Sequence, residues 1–425
     1  MYQIGRTSRG HDLALDGKTR RIHAALIGAT GTGKSTLLEN LMRDDFACGR
    51  GFALIDPHGD LAQSVANAAP PYRINDVVYL DPMDRTHAVG FNPLRSNIEA
   101  SVLTSYIVSA CKHIWRDSWG PRMQYILGMA IRLLLTTPGS SLVMLPRLLV
   151  DRPFRTTLLS RCTDPVVRLF WETEYEGYSE RLRTDAIAPI QNKIGELVGN
   201  PLIRAIIGQE STIDIPHIIN GNKVLICNLS KRMGEEPSHL LGALLVTAIA
   251  QAAEGRATLS EHDRRDFTLY VDEFQNFATD AFASILSEMR KWRLNLVVAN
   301  QFMGQVPDIL RQSILGNVGT LCVFRIGAED APLIAKQLDF PNPEALASTP
   351  NYQAWVKTTA AGSPTEAELI HTLPIPHGQT TSLPSIVART RARHARRRDV
   401  VEREVSAFFG GAPLPSKTKR RKPRW

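Results

Sequence analysis

The sequence predicts an α/β protein with a mainly parallel sheet and an inserted all-α domain, and three observations lead to this fold class. Short apolar runs recur along the chain, and segments with helical periodicity lie between them. The runs are continuously apolar instead of alternating, as in strands that a parallel sheet buries on both faces. Between residues 95 and 205 the strand signals vanish and only helical periodicity remains.

The predicted elements divide the chain of 425 residues into a core, an insertion and a C-terminal part. The core comprises residues 1–95 and 206–345, in which 1–21 form turns, and the all-α domain comprises 96–205. Residues 346–384 are loop-rich with one edge strand at 352–357, whereas 385–425 form a basic helix to about residue 409 and a disordered tail. Core strands are predicted at 22–27, 52–55, 77–80, 222–229, 266–271, 294–301 and 320–325, and inserted helices at 98–114, 121–136, 142–149, 154–160, 164–172 and 179–198.

A glycine-rich turn follows the first core strand and precedes a helix. Its sequence, GATGTGKS at 28–35, fits G-x-x-x-x-G-K-[ST], the phosphate-binding loop. Backbone N–H groups and the helix dipole favour an anion at such a turn, which argues against a chance match. Lys34 is predicted to reach the β- and γ-phosphates of ATP, and Ser35 to bind Mg²⁺. The predicted nucleotide-binding residues are Gly28, Thr30, Gly31, Thr32, Gly33, Lys34, Ser35 and Thr36.

Two acids end a later apolar strand and predict hydrolysis in addition to binding. The strand at 266–271 is followed by Asp272, which we expect to hold Mg²⁺, and by Glu273, which we expect to orient the attacking water. The alternative is an exposed acid pair in a turn. Gln301 ends the next strand, where its amide is predicted to contact the γ-phosphate and the water; the alternative is a polar loop residue.

An arginine at the end of a strand is the candidate for a residue that acts on a neighbouring subunit. Arg325 follows the apolar run at 320–324, and an arginine in such a place can stabilise charge on a nucleotide bound next door. Arginine is abundant in this chain, so Arg290, Arg293 and Arg311 remain competitors for the same role.

The turn after the second strand also carries side chains that bind metals. Asp56, His58 and Asp60 lie within five residues of one another. Open parallel sheets place their ligands beyond the carboxyl ends of the strands. We therefore favour a turn that lines the edge of the nucleotide over a dedicated metal site.

The charge of the chain favours an acidic partner. The formal net charge is +8, which points to nucleic acid or to a membrane surface. Basic residues cluster near the C-terminus and are predicted to contact nucleic-acid phosphates, with a solvated charged face as the alternative. These residues are Arg389, Arg391, Arg393, Arg396, Arg397 and Arg398 in the helix and Lys417, Lys419, Arg420, Arg421, Lys422 and Arg424 in the tail.

Other features favour a reduced, cytoplasmic setting. The five cysteines include no C-x-x-C pair, so neither a disulfide framework nor a zinc site is predicted. The first residues lack the apolar run of a signal peptide. No apolar stretch approaches the length that spans a bilayer. We expect a cytoplasmic protein without a membrane span of its own.

Taken together, the motifs resemble those of the HerA/FtsK superfamily of P-loop ATPases. The matching segments are 23–35, 55–60, 270–274 and 299–301, and the Asp-Pro-His-Gly turn at 56–59 is the most specific of them. Within the superfamily the chain is most similar to the coupling-protein ATPases of type IV secretion and conjugation. Their all-α domain resembles the helical insertion, and the resemblance covers roughly residues 20–340.

This resemblance implies a RecA-like core, a hexameric ring with nucleotide at the subunit interfaces, and DNA movement driven by ATP. It implies Lys34 and Ser35 as ligands of nucleotide and Mg²⁺, Asp272 and Glu273 as the hydrolytic pair, Gln301 as a sensor and Arg325 as the interface arginine. Membrane-anchored coupling proteins carry N-terminal transmembrane helices, and here the phosphate loop already starts at Gly28. We therefore expect either a soluble motor recruited by a membrane-bound partner, peripheral at the inner face of the membrane, or a free DNA translocase.

The main functional hypothesis is an ATP-dependent DNA translocase of the conjugation or secretion type. One alternative is an ATPase that assembles a secretion apparatus or moves protein through it, with the same core but no need for DNA affinity. The other is a non-enzymatic scaffold gated by nucleotide. An intact Glu273 argues against the scaffold, because a scaffold does not need a residue that positions water.

Overall fold

The computed structural model describes residues 2–96, 98–360, 362–376 and 381–410, and the chain divides into two units. Among these described residues, the sheet unit comprises those within 1–80, 215–230 and 249–389, and the helical unit those within 81–214, 231–248 and 390–425. The predicted boundaries at 95 and 205 are therefore displaced, and the helical unit gains two later segments. Periodicity identifies a helix but not the unit in which the helix packs, which is why the sequence did not show these additions.

The strands and helices have the following bounds. The strands are β1 Tyr2–Thr7, β2 Asp12–Leu15, β3 Ala24–Ile27, β4 Gly51–Asp56, β5 Val77–Leu80, β6 His87–Val89, β7 Val224–Asn228, β8 Phe267–Val271, β9 Leu294–Asn300, β10 Thr320–Val323, β11 Gln353–Lys357, β12 Thr359–Ala360, β13 Ser363–Pro364, β14 Glu368–His371 and β15 Ala395–Arg397. The helices are α1 Gly17–Arg20, α2 Lys34–Ala47, α3 Asp60–Asn67, α4 Ala100–Ile114, α5 Pro121–Leu135, α6 Leu145–Val150, α7 Arg152–Leu159, α8 Pro165–Leu169, α9 Glu180–Gly199, α10 Pro201–Ile207, α11 Ile215–Asn220, α12 Glu235–Glu254, α13 Asp280–Glu288, α14 Asp308–Asn317, α15 Ala331–Leu338, α16 Pro343–Ala347, α17 Leu383–His394 and α18 Arg398–Phe409.

The sheet unit is built on an 11-stranded sheet in the order β2-β1-β14-β11-β10-β3-β9-β8-β4-β7-β5. The strands from β10 to β5 are all parallel, which confirms the predicted fold class. Strands β4, β5, β7, β8 and β9 are buried along their whole length, as their continuous apolar runs indicate. The carboxyl ends of the parallel strands lie along one side of the sheet, here called its carboxyl edge. The predicted site residues follow strands at this carboxyl edge.

Four antiparallel strands extend the sheet beyond β10, and the sequence did not predict this extension. Strands β1 and β2 lie in the segment predicted as turns, and β11 and β14 lie in the segment predicted as loop-rich. The strand predicted at 352–357 exists as β11, but it lies between β10 and β14 and is not an edge strand. Strands β2, β11 and β14 are only partly buried, and the extension is held to the sheet by the pairing of strands distant in sequence, β1 with β14 and β10 with β11, which local sequence does not reveal.

The helical unit contains the helices α4 to α9, in agreement with the predicted series, and α10, which was not predicted. It also contains a two-stranded ladder of β6 and β15, so the prediction of an all-α domain is wrong in this detail. The single helix predicted over 385–409 is wrong as well, because β15 separates α17 from α18. The sequence at 395–397 is Ala-Arg-Arg, which suits a helix, and pairing with β6 overrides this local preference.

Most arginines of the predicted basic helix have partners within the helical unit. Arg391 contacts the Asp84 carboxylate at 2.7 Å, and Arg398 donates to the carbonyl oxygens of Pro82 and Asp84, each at 2.9 Å. Arg396 and Arg397 pair with Glu404 and Asp399. The tail residues 411–425 lie outside the described residues. Part of the charge of this segment is therefore paired within the protein.

Within the described part of the chain, one helix meets the length and composition of a membrane span. It covers Glu235–Thr258, which includes α12, and 72% of its most apolar window is buried inside the protein. Such burial is typical of a core helix, so this segment is weak evidence for a membrane span.

A buried charge cluster ties the helix after the phosphate loop to the sheet. Arg20 donates to the Asp45 carboxylate of α2 at 2.5 Å, and the Asp45 side chain is fully buried. The hydroxyls of Tyr2 and Tyr270 also donate to this carboxylate, at 3.1 and 2.7 Å. The Arg20 guanidinium lies 3.4 Å from the centre of the Tyr2 ring. The cluster thus joins α2 to β1 and β8, two strands on opposite sides of β3.

We predict that Arg20→Met lowers the free energy of unfolding by about 3–5 kcal/mol, because it leaves the buried Asp45 charge with only the more distant Arg50 guanidinium, at 3.9 Å. The double variant Arg20→Met/Asp45→Asn should lose less than the two single variants together. Arg6→Ala is the matched control, since Arg6 forms an exposed pair with Asp12 and should change stability by less than about 1 kcal/mol. Urea unfolding measures the free energy of unfolding of the parent protein, of the two single variants at Arg20 and Asp45, of the double variant and of Arg6→Ala. Equal losses for Arg6→Ala and Arg20→Met would contradict the prediction.

Candidate nucleotide-binding site

The glycine-rich loop is anchored to the strands on both sides of β3. The N–H of Gly28 donates to the carbonyl of Asn300 at the end of β9, at 3.1 Å. The N–H of Ala29 donates to the carbonyl of Arg325, just beyond β10, at 2.8 Å. The loop therefore begins from a fixed position at the carboxyl edge of the sheet.

Three glycines allow the loop to take this shape. Gly31 and Gly33 have φ angles of 76° and 117°, which side chains other than glycine rarely tolerate. A Cβ atom on Gly28 would lie 2.5 Å from the Cβ of Phe324, closer than packed atoms approach. The Thr32 hydroxyl closes the turn by donating to the Ala29 carbonyl at 2.7 Å.

Lys34 begins helix α2 and directs its ammonium back into the loop. The ammonium donates to the carbonyls of Gly28 and Ala29, the latter at 3.1 Å. Burial lowers the pKa of Lys34, and the nearby charges of Glu273 and Asp272 oppose this shift. Ser35 is exposed at the same helix end, so its hydroxyl is accessible to a ligand from solvent.

Two carboxylates from neighbouring strands lie together beside the loop. Asp56 ends β4 and Asp272 follows β8, and the Asp272 N–H donates to the carbonyl of Ile55 at 3.1 Å. Burial raises the pKa of Asp272 to about 7, and the negative charges of Asp56 and Glu273 add to this effect. Lys34 lowers the same pKa but does not compensate for the burial.

The turn after β4 is held by Asp56 itself. One carboxylate oxygen accepts the N–H of His58, and the other accepts the N–H of Ala62, both at 2.8 Å. The side chains of His58 and Asp60 are exposed. Among the described residues no group of three or more metal-binding side chains forms a metal site. The contacts of Asp56 thus fit the predicted turn at the edge of the sheet.

Two glutamine amides hold the Glu273 carboxylate. Its Oε1 accepts from Gln301 Nε2 and its Oε2 accepts from Gln275 Nε2, each at 2.8 Å. Glu273 is buried and has a φ of 46°, a strained backbone for a residue other than glycine. The sequence predicted Gln301 but missed Gln275. The short helical turn at 274–276 directs Gln275 back to the residue two positions before it, and this turn is visible only in the structure.

The chemistry of these side chains fits Mg²⁺ together with phosphate. Ser35 and Asp272 offer oxygen ligands, which Mg²⁺ prefers. Three buried acids (Asp56, Asp272 and Glu273) face the single buried cation of Lys34, which leaves an excess of negative charge. A divalent cation at Asp272 would neutralise this excess.

The structure places Arg325 beside the loop of its own chain. Its carbonyl accepts from Ala29, and its side chain is partly buried. A role on a neighbouring subunit remains a prediction. Two of the competing arginines have carboxylate partners, Arg293 with Asp266 and Arg311 with Asp308.

These features define the class of the protein. A phosphate-binding loop follows β3 at the carboxyl ends of the parallel strands. An acidic pair follows β8, and β9 lies between β3 and β8. This arrangement is the RecA-like fold of P-loop nucleoside triphosphatases. The family model for the type IV secretion-system coupling protein DNA-binding domain matches residues 11–339, and the chain belongs to this family.

Solved structures of coupling proteins share the fold. The plasmid coupling protein TrwB in complex with ADP and Mg²⁺ is 15% identical, with 90% of this chain and 92% of that chain covered and a TM-score of 0.67. Unbound TrwBdeltaN70, a bacterial conjugative coupling protein, is 16% identical, with 90% of both chains covered and a TM-score of 0.65. VirB4 of Thermoanaerobacter pseudethanolicus is 12% identical, with 88% and 96% covered and a TM-score of 0.63. No curated protein sequence matches the chain.

We predict that Asp272→Asn stabilises the ligand-free protein clearly more at pH 8 than at pH 5, because only about a third of the effect is present at pH 5. A raised pKa means that the folded protein keeps this proton to about pH 7, whereas the unfolded chain loses it near pH 4. Stability from Asp272 is therefore present at low pH and is lost as the pH rises to 7. The full shift corresponds to at most about 4 kcal/mol, since one pKa unit is about 1.4 kcal/mol.

Thermal unfolding at the two pH values in EDTA measures this effect. Asp308→Asn is the matched control, because Asp308 is exposed and should show the same small change at both pH values. The prediction would be contradicted if the gain in Tm of Asp272→Asn over the unchanged protein were smaller at pH 8 than at pH 5.

Proposed function

We propose that the chain is a coupling ATPase of conjugation or type IV secretion that hydrolyses ATP to move DNA. The observation that carries this proposal is the convergence of Lys34, Asp272 and Glu273 at one edge of the sheet, with Glu273 fixed by two amides. Membership of the coupling-protein family supports it. Structures of TrwB with ADP and Mg²⁺ and with a non-hydrolysable ATP analogue support ATP and Mg²⁺ as cofactors.

Each residue of the site has a role in this mechanism. The N–H groups of the loop and the Lys34 ammonium bind the phosphates, and Ser35 and Asp272 hold the Mg²⁺, which supplies positive charge to the phosphate oxygens. Glu273 accepts a hydrogen bond from the attacking water and orients its oxygen toward the γ-phosphorus. A bond forms between these two atoms while the bond to the bridging oxygen breaks, which releases ADP and phosphate. Gln301 and Gln275 position Glu273.

DNA as the partner rests on the family and on the net charge. The family model describes a DNA-binding domain, and the formal net charge is +8. The C-terminal arginines contribute less support than the sequence predicted, because most of them have partners within the helical unit.

We further propose a homo-oligomer, in the form of a hexameric ring, with nucleotide at the subunit interfaces. Arg325 is the candidate arginine that completes the site of the next subunit. We place the ring on the cytoplasmic side of the membrane, where a membrane-bound partner of the secretion or conjugation apparatus recruits it. Mass measurement with ATP and Mg²⁺ tests the ring, and a monomer under these conditions argues against it.

An ATPase assay with and without DNA tests the proposed function. We predict that double- or single-stranded DNA stimulates hydrolysis and that Lys34→Ala and Glu273→Gln abolish it. The two variants should differ in binding, since Lys34→Ala loses affinity for ATP whereas Glu273→Gln retains it. Equal rates with and without DNA at every salt concentration would contradict the DNA motor. Hydrolysis without salt-dependent DNA binding would favour the ATPase that assembles the secretion apparatus or moves protein.

We also predict that Gln275→Ala lowers kcat about tenfold and leaves the KM for ATP unchanged. Gln275 contacts Glu273 and not the loop, so its loss should misplace the attacking water without weakening nucleotide binding. Gln305→Ala is the control, because Gln305 is an exposed glutamine in another short helical turn. A change in KM with an unchanged kcat would contradict the positioning role.

A further inference from the structure

Tyr352 lies against the phosphate loop although it is more than 300 residues away in sequence. Strand β11 runs antiparallel to β10, so the start of β11 meets the end of β10 at the carboxyl edge of the sheet. Tyr352 directly precedes β11, and its N–H donates to the Thr32 carbonyl at 2.7 Å. A Cβ atom built on Gly33 would lie 3.2 Å from Cδ1 of the Tyr352 ring. Both main chain and ring therefore flank the loop.

The backbone of Tyr352 is strained and is held in place from two sides. Its φ is 62°, a conformation that bulky residues rarely adopt. Its carbonyl accepts from the N–H and the hydroxyl of Thr372, at 2.9 and 3.0 Å, while its own N–H is bound to the loop. Strain of this kind clusters at ligand sites, where the surrounding structure imposes it.

Burial of the side chain does not explain this strain. Tyr352 is 55% exposed, so its ring gains little from packing in the core. Glycine would adopt the same backbone without strain. An exposed aromatic ring in a strained position beside a phosphate loop presents a flat apolar face to a ligand.

The position of the hydrolytic residues indicates which part of the nucleotide meets this ring. Asp272, Glu273 and Gln301 lie on the β9 and β8 side of the loop, which assigns the γ-phosphate and the water to that side. The ribose and base lie outside a loop that holds the phosphates. Tyr352 lies on the opposite side, next to β10 and β11. The Tyr352 ring thus offers an aromatic surface to the base on the side of the loop opposite Asp272, Glu273 and Gln301.

We propose that the Tyr352 ring stacks on the purine base of the bound nucleotide. This inference rests on the proposed function, since it takes the loop to hold a nucleoside triphosphate. Stacking on an aromatic ring tolerates different bases, so Tyr352 favours a purine over a bare triphosphate without separating adenine from guanine.

Calorimetric titration with ATP and with inorganic tripolyphosphate, both with Mg²⁺, tests the proposal. The parent protein is the full chain with Glu273→Gln, which should bind ATP without hydrolysing it. Added to this background, Tyr352→Gly should weaken ATP binding about tenfold or more and leave tripolyphosphate binding unchanged. Tyr352→Phe keeps the ring and should bind ATP within about twofold of the parent. Tyr352→Gly accepts the backbone angle, so a loss of binding cannot be attributed to strain in the folded loop.

Tyr72→Ala is the matched control, because Tyr72 is 68% exposed and precedes β5 at the other edge of the sheet. It should bind both ligands as the parent does. ATP affinity of Tyr352→Gly equal to that of the parent would overturn the stacking role alone. Equal losses for ATP and tripolyphosphate would also overturn it, since they indicate a distorted loop. A parent protein that binds neither ligand would instead overturn the proposed function.

Discussion

The burial of several acids beside one lysine is the constraint on which the site depends. Asp56, Asp272 and Glu273 lie close together where water is largely excluded, and burial raises the pKa of Asp272 to about 7. Buried charges need partners. Backbone N–H groups bind Asp56 and glutamine amides bind Glu273. Asp272 accepts the N–H of Glu273 at 3.1 Å, but this bond does not offset its burial. The site is thus prepared for a cation and for phosphate, and binding of both relieves a repulsion that folding alone leaves in place.

The sheet sets the positions of these groups with little help from the loops. Strand β9 lies between the loop strand β3 and the acidic strand β8, so Gln301 at the end of β9 reaches Glu273 from the same side as the loop. The buried cluster of Arg20 and Asp45 fixes helix α2 against the same sheet. The antiparallel strands beyond β10 bring Tyr352 to the opposite side of the loop. One edge of one sheet therefore assembles residues that lie hundreds of positions apart.

The basic C-terminal segment shows how composition and structure differ as evidence. Its arginines predict contact with nucleic acid, but Arg391, Arg396, Arg397 and Arg398 bind carboxylates or carbonyl oxygens of the helical unit. A paired guanidinium has fewer donors left for phosphate and has already lost much of its side-chain freedom. Family membership is therefore the stronger argument for DNA.

The sequence by itself determined the parallel core, the phosphate loop and the pairing of Asp272 with Glu273, because each depends on local patterns. Continuous apolar runs specify buried strands, and G-x-x-x-x-G-K-S specifies a turn between a strand and a helix. Only the tertiary structure decided the antiparallel extension, the break between α17 and α18, the contact of Gln275 with Glu273 and the position of Tyr352. The extension, the break and the position of Tyr352 depend on which strands meet, and the energy of such pairing lies in contacts between segments that local sequence does not encode. The contact of Gln275 is local, and it depends on the left-handed backbone of Glu273, where φ is 46°.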